Sequence, residues 1–230
     1  MIKVENIIKS YKSGKVKIKA LNDVSLEIKK GDFVIFRGPS GSGKTTLLNI
    51  IGTLTRITQG RIWLEDQEIS HFPDHFLSAL RRKKIGFIFQ QFNLLSGFTT
   101  WENVSFPLLP MGVSEKKRKD RAMKLLEELN LETRAEFMAN ELSGGEQQRA
   151  AIARALINDP DIILADEPLS NIDQDHAKIF IDILENLKKR GKTIIASSHE
   201  LFAPIAGLAN RTVYFERGKI TLANDINKRP

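Results

Sequence analysis

The chain of 230 residues contains no cysteine, so neither a disulfide nor a thiolate metal site can form. That fits a protein kept in the cytosol. No apolar run approaches the roughly 20 residues that a membrane-spanning helix needs. The N-terminus, Met1-Ile2-Lys3-Val4-Glu5-Asn6, lacks the apolar stretch of a secretory signal. The chain is therefore expected to stay where it is made. Aromatic residues make up only 7%. None interleaves with the two basic runs, Arg81-Arg82-Lys83-Lys84 and Lys116-Lys117-Arg118-Lys119, which weakens a single-stranded nucleic-acid reading. There is no internal repeat and no low-complexity linker. Against these absences stand 41% apolar and 27% charged residues, an ordinary globular composition with length enough for one large α/β domain. The net charge of +7 admits nucleic acid or an anionic membrane surface as a partner; solvated helix faces are the simpler reading of both runs.

Short β-type runs alternate with helical segments, which points to an α/β fold with a largely parallel sheet. Phe33-Val34-Ile35-Phe36 reads as a buried strand, followed by a glycine-rich turn and an apolar helix over residues 45–54. Residues 24–28 alternate apolar and polar, as a half-buried antiparallel strand does, and Arg61-Ile62-Trp63-Leu64 could pair with them. Residues 85–89 are a further strand candidate. Between residues 91 and 160 strand signals vanish. Residues 115–130 place Ala122, Leu125, Leu126 and Leu129 on one helical stripe, and residues 145–158 read as a second long helix. Strands resume at Ile162-Ile163-Leu164-Ala165 and Thr193-Ile194-Ile195-Ala196, separated by a helix that Gly191 ends. A β-hairpin across Arg217-Gly218 closes the pattern.

Gly38-Pro39-Ser40-Gly41-Ser42-Gly43-Lys44-Thr45 matches the phosphate-loop pattern in full, between an apolar strand and a helix. Glycines let backbone N–H groups turn inward around phosphate oxygens, and the helix start adds its positive dipole end. Lys44 is expected to neutralise the β- and γ-phosphates, Thr45 to ligate Mg²⁺, and Thr46 to donate to the α-phosphate. A chance Gly/Ser turn would not need this context. Asp166 and Glu167 end an apolar strand, where ligands sit in open α/β sheets. They read as a Mg²⁺ holder, through water, and as a general base or water-orienting group. An acidic turn before Pro168 is the alternative, and the phosphate loop disfavours it.

Leu142-Ser143-Gly144-Gly145-Glu146 lies about a hundred residues beyond Lys44. Ser143 and Glu146 fit a capping box. A cap does not ask for two glycines in the first turn, where each costs about 1 kcal/mol relative to alanine. Close approach of an anion to bare backbone does. The run reads as both cap and anion site. One nucleotide does not need two such devices, so the simplest arrangement is two chains, each lending this run to the other's nucleotide.

Together these motifs, in this order and over nearly the whole chain, resemble the nucleotide-binding subunit of an ATP-binding-cassette (ABC) transporter. The resemblance implies a P-loop NTPase (RecA-like) α/β core with an antiparallel β layer and an inserted helical subdomain. One domain would span 1–230, with 1–90 and 160–222 as core and 91–159 as the helical part. It implies ATP and Mg²⁺ as cofactors. Tyr11 would stack on adenine; Gly38, Ser40, Gly41, Ser42, Gly43, Lys44, Thr45 and Thr46 would cradle the phosphates. Gln90 would touch Mg²⁺ and the attacking water. Ser143, Gly144 and Gly145 would close on the partner's γ-phosphate. Asp166 and Glu167 match the second nucleotide motif, with Glu167 catalytic. Ser170-Asn171-Ile172-Asp173 resembles the loop that crosses the dimer interface, anchored by Asp173, and His199 resembles the switch histidine near the γ-phosphate. The implied assembly is a homodimer in the ATP-bound state and a transmembrane permease on a separate chain, docked around residues 90–106. The implied place is the cytoplasmic face of the cell membrane, with no nucleic-acid partner. Residues 89–95, with Thr99, Glu102-Asn103-Val104 and Pro107, are similar to the lipoprotein-release and macrolide-export branch (LolD/MacB-like). Thr45-Thr46, Glu146, Leu169 to Ile172 and Ser198-His199-Glu200 depart from its commoner residues without removing a catalytic group. The rival reading is an ABC-type ATPase acting on chromosomes or ribosomes. Long coiled-coil insertions or a second cassette would favour it, and the chain has neither. A regulatory module with a dead ATPase is opposed by Lys44, Gln90, Glu167 and His199.

Overall fold

A computed structural model describes residues 1–14, 16–169, 174–199 and 203–225. Two sheets share one apolar layer. The first sheet holds β1 (Ile2–Ser13), β2 (Val16–Ile28), β4 (Gln59–Leu64) and β5 (Gln67–Glu68) in the order β2-β1-β4-β5, all antiparallel. The second holds β3 (Phe33–Arg37), β6 (Ile85–Ile88), β7 (Ile162–Ala165), β8 (Thr193–Ser198), β9 (Arg211–Glu216) and β10 (Lys219–Asp225) in the order β10-β9-β3-β8-β7-β6. Only β10 runs antiparallel to its neighbour.

The strands at the centre of this second sheet are buried on both faces, so they read as unbroken apolar runs. Alternation then sorts their side chains. Val34, Phe36, Leu164, Ile195, Val213 and Phe215 pack with the antiparallel layer and with α1 (Lys44–Ile51). Phe33, Ile35, Ile163, Ala165, Ile194 and Ala196 pack on the opposite side. There they meet α3 (Thr100–Ser105), α4 (Glu115–Glu128), α5 (Gly144–Leu156), α6 (Gln174–Lys189) and α7 (Ala203–Leu208). The residues between β6 and β7 form no named strand, as the pattern predicts; a single bridge joins Thr99 to Met138.

One expectation is corrected. The run 61–64 does not pair with residues 24–28. Its partner is β1, with Ile2 opposite Leu64 and Val4 opposite Ile62, and β1 separates it from β2. Alternation sets which face of a strand is buried, not which strand lies beside it, and Ile2 and Val4 alternate equally well. Tyr11 lies inside β1, opposite Ile18. The basic run 81–84 closes α2 (Asp74–Lys84), where cations suit the helix dipole. Arg81 donates to the Thr53 carbonyl at 2.7 Å, and Lys84 pairs with Glu65 at 3.1 Å and Asp161 at 2.8 Å. Lys116 to Lys119 lie in the first turns of α4. Both runs are therefore helical.

Candidate active site

The loop between β3 and α1 is shaped by packing beneath it. Phe36 and Phe215 are fully buried with ring centroids 5.1 Å apart, each contributing about 1.5–3 kcal/mol by burial. They fasten β3 to β9 directly under the loop. Gly38 takes φ 148°, and a Cβ there would run into the Phe215 carbonyl. Gly43 takes φ 108°, and its Cβ would stand 2.7 Å from the Ala20 carbonyl oxygen and 2.8 Å from the Leu21 side chain. The Gly218 N–H donates to the Ser42 carbonyl at 3.0 Å, and the Asn22 N–H to the Gly218 carbonyl at 2.8 Å. The antiparallel layer and the β9–β10 turn thus brace the loop from behind.

Lys44 is 3% exposed. Its Nζ donates to the carbonyls of Gly38 at 2.7 Å and Pro39 at 2.9 Å and lies 3.9 Å from Glu167 Oε1. Burial lowers its pKa, and Glu167 and Asp166 offset part of that. A buried ammonium whose nearest paired carboxylate stands 3.9 Å away favours an added anion. Ser42 makes the same point: its hydroxyl is buried and has no hydrogen-bond partner. An unsatisfied buried hydroxyl costs stability that a phosphate oxygen would recover. The loop fits a phosphate on both counts.

The strand ends β7 and β8 supply the rest. Asp166 is 7% exposed, and its N–H continues the sheet by donating to the Ile88 carbonyl at 2.9 Å. Its Oδ1 accepts from Thr45 Oγ1 at 2.9 Å and from Ser197 Oγ at 2.6 Å. The hydroxyl and the carboxylate are both hard oxygen donors of the kind Mg²⁺ takes. Glu167 has φ 45°, a left-handed conformation that costs a non-glycine residue of order 1 kcal/mol. Its N–H donates to Ser197 Oγ at 2.9 Å, and its Oε1 lies within hydrogen-bonding distance of His199 Nε2, at 2.6 Å.

Lys44, Thr45, Asp166, Glu167 and His199 are thus brought together, and Ser197 is the knot between them. Sequence reasoning passed over Ser197; its only signal was a polar residue in an apolar strand two positions before the histidine. Gln90 is exposed, two residues beyond β6. Tyr11 is 43% exposed on the antiparallel layer, with Lys9 Nζ 4.8 Å from its ring centroid. Asp173 lies outside the described residues.

Ser143, Gly144 and Gly145 are elsewhere. They open α5, on the opposite face of the parallel sheet from α1, and none of their hydrogen bonds reaches residues 38–46. The capping box is present. The Ser143 N–H donates to Glu146 Oε2 at 2.8 Å, and the Glu146 N–H donates to Ser143 Oγ at 3.4 Å. Gly144 is exposed, and a Cβ there would meet nothing within 4 Å. The cap uses two N–H donors, those of Ser143 and Glu146, and leaves the backbone face at Gly144 open.

Two arginines that carried no sequence signal hold this region. Arg154 of α5 donates to the carbonyls of Phe92 and Asn93 at 2.5 Å each, tying α5 to the segment after Gln90. Arg134 donates through Nε to Glu146 Oε1 at 2.8 Å. With the Ser143 N–H, this lowers the Glu146 pKa to about 2. A carboxyl so depressed contributes stability that is present above its ordinary value near 4.5 and lost as pH falls toward 2. Arg134 is 42% exposed, so solvent screening reduces the contribution to about 1 kcal/mol. Chemical denaturation across that window is expected to show the loss, and Glu146→Gln is expected to flatten it. An unchanged acid profile in that variant would assign the loss to other carboxylates.

Residues 21–170 match the ABC transporter family. An ABC transporter ATP-binding protein of Thermotoga maritima is 46% identical over 201 residues, 87% of this chain and 86% of its own. The macrolide export ATP-binding/permease protein MacB of Campylobacter fetus is 46% identical over 220 residues, which is 96% of this chain but 34% of that protein. The chain therefore spans about a third of the length of that export protein. MJ0796 of Methanocaldococcus jannaschii is 43% identical over 225 residues, 96% of this chain and 95% of its own. Two dimeric structures of the MJ0796 cassette, one in a post-hydrolysis state bound to ADP and Pi, superpose with a TM-score of 0.93 at 40% identity over the whole of both chains. With the phosphate loop, the acidic strand end and the LSGGE helix start all in place, the chain belongs to the ABC transporter family as an ATP-binding cassette.

Proposed function

We propose that two copies of this chain bind and hydrolyse two ATP molecules, each held between one copy's phosphate loop and the other's LSGGE segment. We further propose that closure of the pair drives a separate membrane permease. The observation that carries this is the division of the phosphate-binding groups. Lys44, Ser42 and the strand-end carboxylates face one side of the sheet's ends, whereas Ser143 and Gly144 open a helix on the other layer.

In this reading Gly38, Ser40, Gly41, Ser42, Gly43, Lys44, Thr45 and Thr46 hold the phosphates, and Tyr11 stacks on adenine. Lys44 exchanges its two loop carbonyls for phosphate oxygens. Thr45 and Asp166, with Gln90, would hold Mg²⁺, which neutralises charge on the phosphate oxygens when bound. Glu167 takes the proton of the attacking water or orients that water, and His199 holds its carboxylate in place. Asp173 anchors the crossing loop. One domain spans 1–230, with 91–159 as its helical subdomain.

The permease would meet the helical side. Phe98 and Phe106 are 37% and 39% exposed with ring centroids 6.0 Å apart. Leu109 and Met111 follow, both exposed. This apolar strip lies just after the segment beginning at Gln90 and suits the apolar face of a short partner helix. No helix among the described residues is long and apolar enough to cross a membrane, so attachment through such a partner would place the chain on the cytoplasmic face of the membrane. The macrolide-export and lipoprotein-release branch supplies the candidate cargo class.

Protein dilution tests the dimer. At concentrations where the pair is dissociated, ATP hydrolysis is expected to rise with the square of chain concentration. A rate strictly linear in concentration throughout the dissociated range would overturn the shared site.

A further inference from the structure

The LSGGE run carries an electrostatic conflict. Its helix start is offered to a γ-phosphate, yet the third helical position is Glu146, a full negative charge within one turn of the same N–H groups. A carboxylate there stabilises the free helix end and for that reason competes with an incoming anion. The chain contains a counterweight. Glu146 is folded back, with Oε2 on the Ser143 N–H and Oε1 on Arg134 Nε, both at 2.8 Å, and its side chain is only 18% exposed. Arg134 is itself held. It lies in the short 3₁₀ turn Glu132–Arg134, its N–H donates to the Leu131 carbonyl at 2.9 Å, and its guanidinium stands 4.7 Å from the Phe137 ring centroid.

We infer that Arg134 is a positioning residue for the LSGGE helix start: it draws the Glu146 carboxylate away from the open backbone face and balances its charge, so that the partner's γ-phosphate can approach Ser143 and Gly144. The inference rests on the reading that this helix start meets nucleotide bound to a second chain. It assigns a task to a residue outside the motif and explains how a charged residue is tolerated at that position. Arg134 acts through Glu146, so its effect must vanish when Glu146 carries no charge. A purely structural arginine would not behave in that way.

The test is a double-mutant cycle. All variants are made in the Glu167→Gln background, and the ATP concentration giving half-maximal dimer is read by sedimentation. Arg134→Ala is expected to raise that concentration about tenfold through the uncompensated carboxylate. In the presence of Glu146→Gln, Arg134→Ala is expected to change it by less than about threefold relative to Glu146→Gln alone. Arg134→Lys, which keeps the charge, is expected to stay within about threefold of the parent, and it keeps the comparison open if the alanine variant fails to fold. An equal loss from Arg134→Ala in both backgrounds overturns the inference, as does no loss beside an intact Glu146. Gly144→Asp in the same background separates the two readings. If it dimerises like the parent, the shared-site reading itself fails, whatever Arg134 does.

Discussion

Glu167→Gln is expected to lower ATP hydrolysis by about 10²–10⁴-fold, the contribution of a positioned general base, while leaving ATP affinity close to that of the unmodified chain. The two side chains are nearly isosteric, so the 2.9 Å bond from the residue-167 N–H to Ser197 and the left-handed backbone at that position survive the change. Lys44 loses the Glu167 charge 3.9 Å away but keeps its bonds to the Gly38 and Pro39 carbonyls, so folding stability is expected to change by about 1 kcal/mol or less, as for substitutions that open no cavity. The amide cannot accept a proton from water at neutral pH, so the chemical step stops. Everything that closes the dimer before hydrolysis remains. Addition of ATP is then expected to convert the variant from monomer to a long-lived dimer, read by size-exclusion chromatography, with nucleotide retained as ATP. A variant that turns over at the unmodified rate would remove Glu167 from the chemistry. A variant that neither hydrolyses ATP nor dimerises would show that Glu167 serves binding rather than the water. His199, 2.6 Å away, would lose a charged partner but keep a hydrogen-bonding one, so its placement is not the variable under test.

The parts of the site that were legible from the sequence are those made by neighbours in the chain. Lys44 and Thr45 follow their glycines directly. Asp166 and Glu167 end a strand whose four residues are all buried, and burial on both faces leaves an unbroken apolar signature. Gly144 and Glu146 sit in a cap whose spacing is itself the signal. What was not legible is contact between distant segments. Ser197 joins Asp166 and Glu167 across 31 and 30 positions, Arg154 reaches Phe92 across 62, and Arg134 reaches Glu146 from a 3₁₀ turn with no periodic pattern. Nothing local distinguishes these side chains from solvated ones. The same limit explains the strand order. Alternation placed residues 61–64 and 24–28 in one layer but could not say that β1 lies between them. It also explains the passage over α2, which buries Leu77 alone and so lacks an apolar stripe to read.

Gly144→Asp is expected to leave ATP binding to the isolated chain intact and to reduce hydrolysis by about 10²-fold or more, the loss typical of removing preorganised N–H donors from an anionic transition state. The position is suited to the experiment because its Cβ direction is open, so the substituted chain folds without a clash; Gly144→Ala is expected to be as stable as the unmodified chain or up to about 1 kcal/mol more stable. A loss of activity therefore cannot be assigned to misfolding. The division of the site across two chains makes a sharper demand. Glu167→Gln and Gly144→Asp each leave every homodimeric site defective, one for lack of the base and the other for lack of the open helix start. Mixed before ATP is added, the two chains form heterodimers. In these, one site carries both defects, while the other joins an intact Glu167 to an intact LSGGE run. With random pairing half the dimers hold one whole site of two, so the rate per chain is expected to recover to at most about a quarter of the unmodified value for independent sites in a symmetric pair, and to less where the Gly144→Asp helix start weakens closure. Recovery on mixing two inactive chains has no explanation in a site contained within one chain. Failure to recover, with heterodimers demonstrated by differently tagged chains, would mean that Ser143 and Gly144 serve their own chain's nucleotide or none.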